Sequence, residues 1–185
     1  SGSGKSSVVK AGLLPALRRG ALEQSQDWFV VEMVPGTDPM EELEAALLRI
    51  AVNPPESLLN QLNEDSRGLL RAVKRVLPDD ETELVLFIDQ FEELFTLVDE
   101  EAHRTYFMDS LLEAVSEPRS RLRIIITLRA DFYDRPLNYV SFGELMRERT
   151  EVVLPLSSEE LEMAITAPAH RVGMIVEPSL VGAII

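Results

Sequence analysis

Leu84-Val85-Leu86-Phe87-Ile88-Asp89 is a run of five apolar residues closed by a carboxylate. Apolar residues without alternation predict a strand covered on both faces, and such strands belong to parallel sheets packed between helices. Two other short runs repeat the pattern: Trp28 to Val34, bounded by Pro35-Gly36, and Ile124-Ile125-Ile126, followed by Thr127-Leu128-Arg129. Between them the spacing turns helical. Asp38-Pro39-Met40-Glu41 supplies an N-cap, a proline at the first helical position and an acid at the third, ahead of Leu43, Leu47, Ile50 and Ala51. Asn53-Pro54-Pro55 ends that helix, and Ser66 opens another through Leu69, Leu70, Val73 and Val76. Phe107, Leu111 and Val115 mark a helix over roughly 100–115, closed by Pro118, and 142–149 reads as one more. Val152-Val153-Leu154 is expected as a last short strand, and Ser157-x-x-Glu160 as a capping box opening a helix towards Ala167. This alternation predicts a three-layer α/β/α fold around a parallel sheet.

Working outward from Asp89, the chain opens with Ser1-Gly2-Ser3-Gly4-Lys5-Ser6, which matches the last six residues of the phosphate loop G-x-x-x-x-G-K-S/T. Glycines let backbone N–H groups curl around a phosphate, Lys5 reaches its outer oxygens, and the Ser6 hydroxyl ligates Mg²⁺. Gly2, Ser3, Gly4, Lys5, Ser6 and Ser7 are therefore the candidate phosphate-binding residues. The alternative is a flexible Ser-Gly linker. Only three lysines occur in the chain (Lys5, Lys10, Lys74), and one fills the required slot. The loop's first glycine and the strand feeding it are expected just before Ser1. An amphipathic helix follows at 5–19, with Val8, Val9 and Leu13 on one side, Gly20 as its stop and Pro15 expected to kink it or end it early.

With a phosphate loop in place, a strand-end carboxylate such as Asp89 is positioned to hold Mg²⁺ through water; the alternative is a helix N-cap for 91–97. Glu92 and Glu93 follow where a carboxylate can orient an attacking water, or where their charge simply favours a helix start. Ligands of open parallel sheets bind at the carboxyl ends of strands, which puts Arg129 within reach of a terminal phosphate unless it pairs with Asp131. Arg147 and Arg149 read as a solvated helix end, or as a finger for a neighbouring subunit's nucleotide.

Composition sets limits on everything else. With 18 Lys+Arg against 32 Asp+Glu the formal charge is −14, which disfavours direct binding to nucleic acid. The absence of cysteine removes disulfides, thiolate catalysis and thiolate-bound zinc, and His103 and His170 lack metal-ligand spacing. At 45% hydrophobic residues the chain is globular. No apolar run approaches the roughly 20 residues of a membrane span, and a cytoplasmic location is the expectation.

The joint order of SGSGKSSVVKAGLLPAL, LVLFIDQFEELFT, IIITLRADFYDRP and LPLSSEELEMAITAPA resembles STAND-class P-loop NTPases, the signal-transduction ATPases that include the NACHT and NB-ARC groups. Within that class the chain is most similar to the bacterial "novel STAND" domain commonly fused to WD-repeat propellers. The resemblance implies an AAA-like P-loop core over 1–156 that lacks its first strand, and the start of a helical lid over 157–185. It implies ATP and ADP as ligands with Mg²⁺, slow hydrolysis, attached sensor or effector domains as partners, and a homo-oligomer on activation. It also implies that Glu92 and Glu93 are the acidic pair following the Mg²⁺ aspartate, that Thr127 and Arg129 form a phosphate sensor, and that Pro168 contacts adenine. One departure stands out: Gln90 occupies the position beside Asp89 where many ATPases carry the catalytic glutamate.

Overall fold

The computed structural model describes residues 4–52, 57–78 and 82–184. Gly2, Ser3, the Asn53-Pro54-Pro55 breaker and the acidic Asp79-Asp80-Glu81 lie outside the described residues. The chain divides into two compact units, one spanning Ser6–Thr150 and the other combining the residues before Ser6 with those after Thr150.

The first unit is built on three strands, β1 (Phe29–Met33), β2 (Leu84–Ile88) and β3 (Leu122–Ile126), all parallel and ordered β1-β2-β3. Met33 pairs with Ile88 and Ile88 with Ile126, so the carboxyl ends of all three strands lie flush. All five residues of β2 are buried, because both faces of this central strand are covered. Leu84, Leu86 and Ile88 join a large cluster with Leu43 and Leu47 of α2 (Pro39–Leu48), Leu69 and Val73 of α4 (Gly68–Val76), and Phe107 and Leu111 of α6 (Glu101–Ser116). Val85 and Phe87 point the other way, onto Val9, Leu14 and Leu17 of the first helix, α1 (residues 5–18). Each fully buried Leu, Ile or Phe contributes roughly 1.5–3 kcal/mol, so the two clusters together fix the orientation of β2.

Helix α1 departs from expectation. It runs without a break through Lys5–Ser7, Val8–Leu13 and Leu14–Arg18, and Pro15 does not end it. Its middle third is π-helical, with Leu14 N–H donating to Val9 O, and the proline falls in the first turn of the α-helical segment that follows. In an uninterrupted α-helix the ring of Pro15 would collide with the carbonyl four residues back; the wider π turn displaces that carbonyl. The other connections follow the chain's local signals. Asp38 caps α2, its Oδ1 accepting from Met40 N–H and Glu41 N–H at 3.1 Å each, a contact worth about 1 kcal/mol. Between α2 and α4 lies the short α3 (Leu58–Leu62), and α5 (Glu93–Thr96), α7 (Asp134–Leu137) and α8 (Val140–Arg149) complete the unit.

In the second unit α9 (Ser158–Arg171) starts with the expected capping box: Ser157 Oγ accepts from Glu160 N–H at 3.2 Å, and Glu160 Oε2 from Ser157 N–H at 2.8 Å. The helix continues through Pro168 to Arg171, past the expected end near Ala167. α10 (Pro178–Ile184) follows. The strand expected at Val152-Val153-Leu154 does not form: Val152 and Leu154 are 75% and 72% exposed. Pro155 lacks an N–H and restricts the residue before it, so this three-residue run has little with which to build a hydrogen-bonded ladder.

Gly68, at the start of α4, sits where a Cβ would lie 2.4 Å from Gln61 O and 2.6 Å from Leu62 O, both backbone atoms. Gly68→Ala is expected to destabilise the domain by about 1–3 kcal/mol through overpacking. Gly12→Ala, at a helical position with open space around the added methyl, is expected to be neutral or to stabilise by up to about 1 kcal/mol. Chemical denaturation of the two variants beside the parent protein checks both expectations.

Candidate functional site

Because the strands end flush, the first residue beyond each meets its neighbours. Asp89 N–H donates to Met33 O at 2.9 Å and Thr127 N–H to Ile88 O at 3.0 Å, extending the ladder by one step past β2 and β3. Asp89 is left 6% exposed. Its Oδ1 accepts from Thr127 Oγ1 at 2.5 Å, Ser6 Oγ at 2.6 Å and Gln90 N–H at 3.1 Å. Its Oδ2 faces Lys10 Nζ at 3.4 Å, and Lys10 also pairs with Glu32 at 3.1 Å. Burial pushes the Asp89 pKa up, but the Ser6 and Thr127 hydroxyls together with Lys10 outweigh it. The carboxyl therefore sits below its usual value and is ionised at neutral pH. The Glu32 hydrogen bond, against an opposing effect of burial and with added help from Asp89, holds the Lys10 pKa above its usual value.

The N-cap reading of Asp89 is not what the structure contains. Helix α5 begins at Glu93 with Glu92 at its N-cap and no side-chain cap bond. Between Asp89 and that helix the chain makes a left-handed turn at Gln90, φ 54°. A non-glycine residue in this region costs roughly 1–2 kcal/mol. It is held there by its own N–H, shared between Asp89 Oδ1 and Thr127 Oγ1 at 3.1 Å each, and by the next residue. Phe91 N–H donates to Thr127 O at 2.9 Å, while its ring stacks on Phe142 with centroids 5.8 Å apart and planes 4° from parallel.

The remaining candidates separate. Glu92 Oε2 accepts from Arg129 N–H at 3.3 Å, tying the segment after β2 to the segment after β3. No comparable bond holds the Glu93 carboxylate among the described residues, and Glu93 is half-buried at the first position of α5. Arg129 turns aside to Asp131, with contacts of 2.6 and 3.0 Å, and lies 5.7 Å from the Phe132 ring centroid. That pairing raises its already high pKa. Gly4 has φ +76°, a conformation glycine adopts freely. Lys5, Ser6 and Ser7 open α1, with Ser7 exposed. Pro168 lies in the second unit, exposed within α9. Lys10 and Glu32 were not legible as site residues; the one available signal was that a second of the chain's three lysines follows Lys5 by five residues.

The donor set fits Mg²⁺. A serine hydroxyl and an ionised carboxylate, 2.6 Å apart at the carboxyl edge of a parallel sheet, are hard oxygen ligands. No group of three or more His, Cys, Asp or Glu able to hold a metal occurs among the described residues. Mg²⁺ suits such a sparse site, since it keeps several waters and takes its other ligands from substrate phosphates.

Thr127 is the hinge of this arrangement. Thr127→Val keeps the shape but leaves Asp89 short of one donor and Gln90 N–H short of one acceptor, an expected loss of about 1–3 kcal/mol. Thr127→Ser should recover most of it. Denaturation midpoints of the two variants measure the difference.

Among the described residues no helix is long and apolar enough to cross a membrane. No curated protein and no solved structure matches the chain. The family model for Novel STAND NTPase 1 matches residues 1–185. A match over that span, with a Ser6–Asp89–Thr127 cluster at the carboxyl ends of parallel strands, places the chain in the Novel STAND NTPase 1 family.

Proposed function

We propose that the chain is the nucleotide-binding switch of a signal-transduction protein, taking ATP with Mg²⁺, hydrolysing it slowly and passing the ATP or ADP state to attached sensor or effector domains. The observation that carries this reading is the triple hydrogen bond on Asp89 Oδ1. It joins Ser6, at the start of α1, to the ends of β2 and β3. In this reading the backbone around Gly2, Ser3 and Gly4 cradles the phosphates, with Ser7 continuing the cradle, and Lys5 binds the β and γ oxygens. Ser6 and Asp89 hold Mg²⁺, which when bound neutralises charge on the phosphate oxygens.

Water activation falls to Glu93. Gln90 carries an amide and cannot accept a proton at neutral pH, and Glu92 is engaged by Arg129 N–H. The Glu93 carboxylate would orient the water and take its proton as the oxygen attacks the γ-phosphorus and ADP departs. For Arg129 to sense the γ-phosphate beside Thr127 it would have to exchange Asp131 for the phosphate, which makes sensing a swap of one anion for another. The residues after Ser157 would form the start of a lid, with Pro168 against adenine, and activation would bring copies of the protein together. Gln90 at the usual base position favours a second reading, a nucleotide-binding scaffold that does not hydrolyse.

Lys5→Ala is expected to abolish tight ATP binding, and Asp89→Asn to weaken Mg²⁺-dependent binding far more than binding without the metal. Titration calorimetry on the full-length protein with and without Mg²⁺ reads both, and equal losses in the two conditions for Asp89→Asn would refute the metal role. Glu93→Gln is expected to slow single-turnover hydrolysis by about 10²–10⁴-fold with ATP affinity nearly unchanged, and Glu92→Gln to slow it much less. A wild-type rate for Glu93→Gln would show that Glu93 is not the base, whereas no measurable hydrolysis by the parent protein would favour the scaffold reading.

A further inference from the structure

Lys10 plays no part in the reading above, yet its ammonium reaches the carboxylate at the centre of it. Asp89 Oδ1 already accepts three hydrogen bonds, from Ser6, Thr127 and Gln90. A cation, or a water on a cation, approaching this carboxylate would therefore use Oδ2, and Lys10 Nζ stands 3.4 Å from that oxygen. Glu32 anchors the same ammonium from the other side at 3.1 Å. Glu32 is paired in register with Phe87 across β1 and β2, and Lys10 Nζ lies 5.5 Å from the Phe87 ring centroid. The lysine thus spans two strand ends from a position one turn and a half into α1. Its side chain is 47% exposed and that of Glu32 42%, whereas that of Asp89 is 9% exposed. An ion pair as open as that of Lys10 and Glu32 adds little to stability, so the second partner of the lysine is not explained by holding the fold together.

We propose that Lys10 is a tethered cation that competes with Mg²⁺ for Asp89 Oδ2, with Glu32 as the counter-anion onto which it withdraws. The inference rests on the reading of Asp89 as a metal-holding residue. Two positive charges cannot share one carboxylate oxygen without repulsion. Metal binding therefore has to displace Lys10, and the ease of that displacement sets the Mg²⁺ affinity. Glu32 makes it easy, because the ammonium keeps one ion pair when it gives up the other. The pair Lys10 and Glu32 would then tune how strongly the nucleotide complex demands Mg²⁺, without either residue touching the nucleotide.

The two residues are predicted to act in opposite directions. In the full-length protein saturated with a non-hydrolysable ATP analogue, Mg²⁺ titrated by calorimetry should bind roughly three- to tenfold tighter in Lys10→Met. In Glu32→Gln it should bind weaker by a similar factor, since Lys10 loses its alternative partner and settles on Asp89. In the double variant the Glu32→Gln effect should vanish, because Glu32 acts only through Lys10. An unchanged or weakened Mg²⁺ affinity in Lys10→Met overturns the proposal, as does a Glu32→Gln effect that persists without the lysine. A tenfold or greater loss of analogue affinity in Lys10→Met with the metal chelated would make Lys10 a phosphate ligand instead, and also overturns it. If Lys10→Met does not fold, Lys10→Gln supplies the same comparison. Asp89→Asn in the same titration separates the two levels. Loss of Mg²⁺ dependence there with a silent Lys10→Met sinks only the lysine's role, whereas no loss in Asp89→Asn sinks the metal reading beneath it.

Discussion

A buried, ionised carboxylate is the constraint around which this domain is arranged. Asp89 is 6% exposed, and a charge so placed is tolerated only if fixed donors replace the water it has lost. The donors come from three places far apart in sequence: Ser6 at the start of α1, Thr127 just past β3, and the N–H of Gln90. Thr127 can reach Asp89 only if β2 and β3 end level, and Ser6 only if α1 lies against the sheet. The register of Ile88 with Ile126 and the packing of Val9, Leu14 and Leu17 on Val85 and Phe87 meet those conditions. The apolar core and the polar cluster are thus two solutions to one geometric problem. The core sets the sheet's position to within a side chain, and the cluster registers its edge to within a hydrogen bond.

The same edge shows a division of labour among residues adjacent in sequence. Asp89 faces the hydroxyls, Gln90 makes the turn, Phe91 plugs the aromatic cluster, Glu92 braces the segment after β3, and Glu93 begins the helix. The left-handed residue Gln90 bends the chain between the strand and the helix, and five consecutive side chains take up separate duties. The turn costs free energy and is held by two hydrogen bonds, from Gln90 N–H to Asp89 Oδ1 and Thr127 Oγ1.

Much of this was legible in the amino-acid order. The five-residue apolar run of β2, the Asp38 cap and the Ser157 capping box are local signals whose physics needs no tertiary context, and each corresponds to what is observed. Asp89 and Ser6 are expected from sequence to serve one metal ion, and the structure brings the two side chains within 2.6 Å. What could not be read depended on contacts across the sheet. Glu92 and Glu93 look equivalent in sequence and differ only because one carboxylate finds Arg129 N–H. The Arg129–Asp131 pair was visible as an alternative, but which way a guanidinium turns is decided by its surroundings. Val152-Val153-Leu154 has the composition of a strand, but a strand exists only where a neighbour accepts its hydrogen bonds. Lys10 gave no motif at all, since its partners Glu32 and Asp89 lie on two different strands.

The π-helical stretch of α1 carries a consequence for how this sequence can change. A π turn holds one residue more than an α turn needs, and each residue of an α-helix turns the chain by about 100°. Removing one residue within Val8–Leu13 would be taken up by tightening the stretch to regular α geometry, which leaves the helix phase beyond it unchanged. Leu14 and Leu17, now 2% and 4% exposed against Val85 and Phe87, would keep their places on the sheet, but Pro15 would meet an intact carbonyl row. The surplus residue and the proline therefore belong together. This helix is expected to accept the loss of one only with the loss of the other.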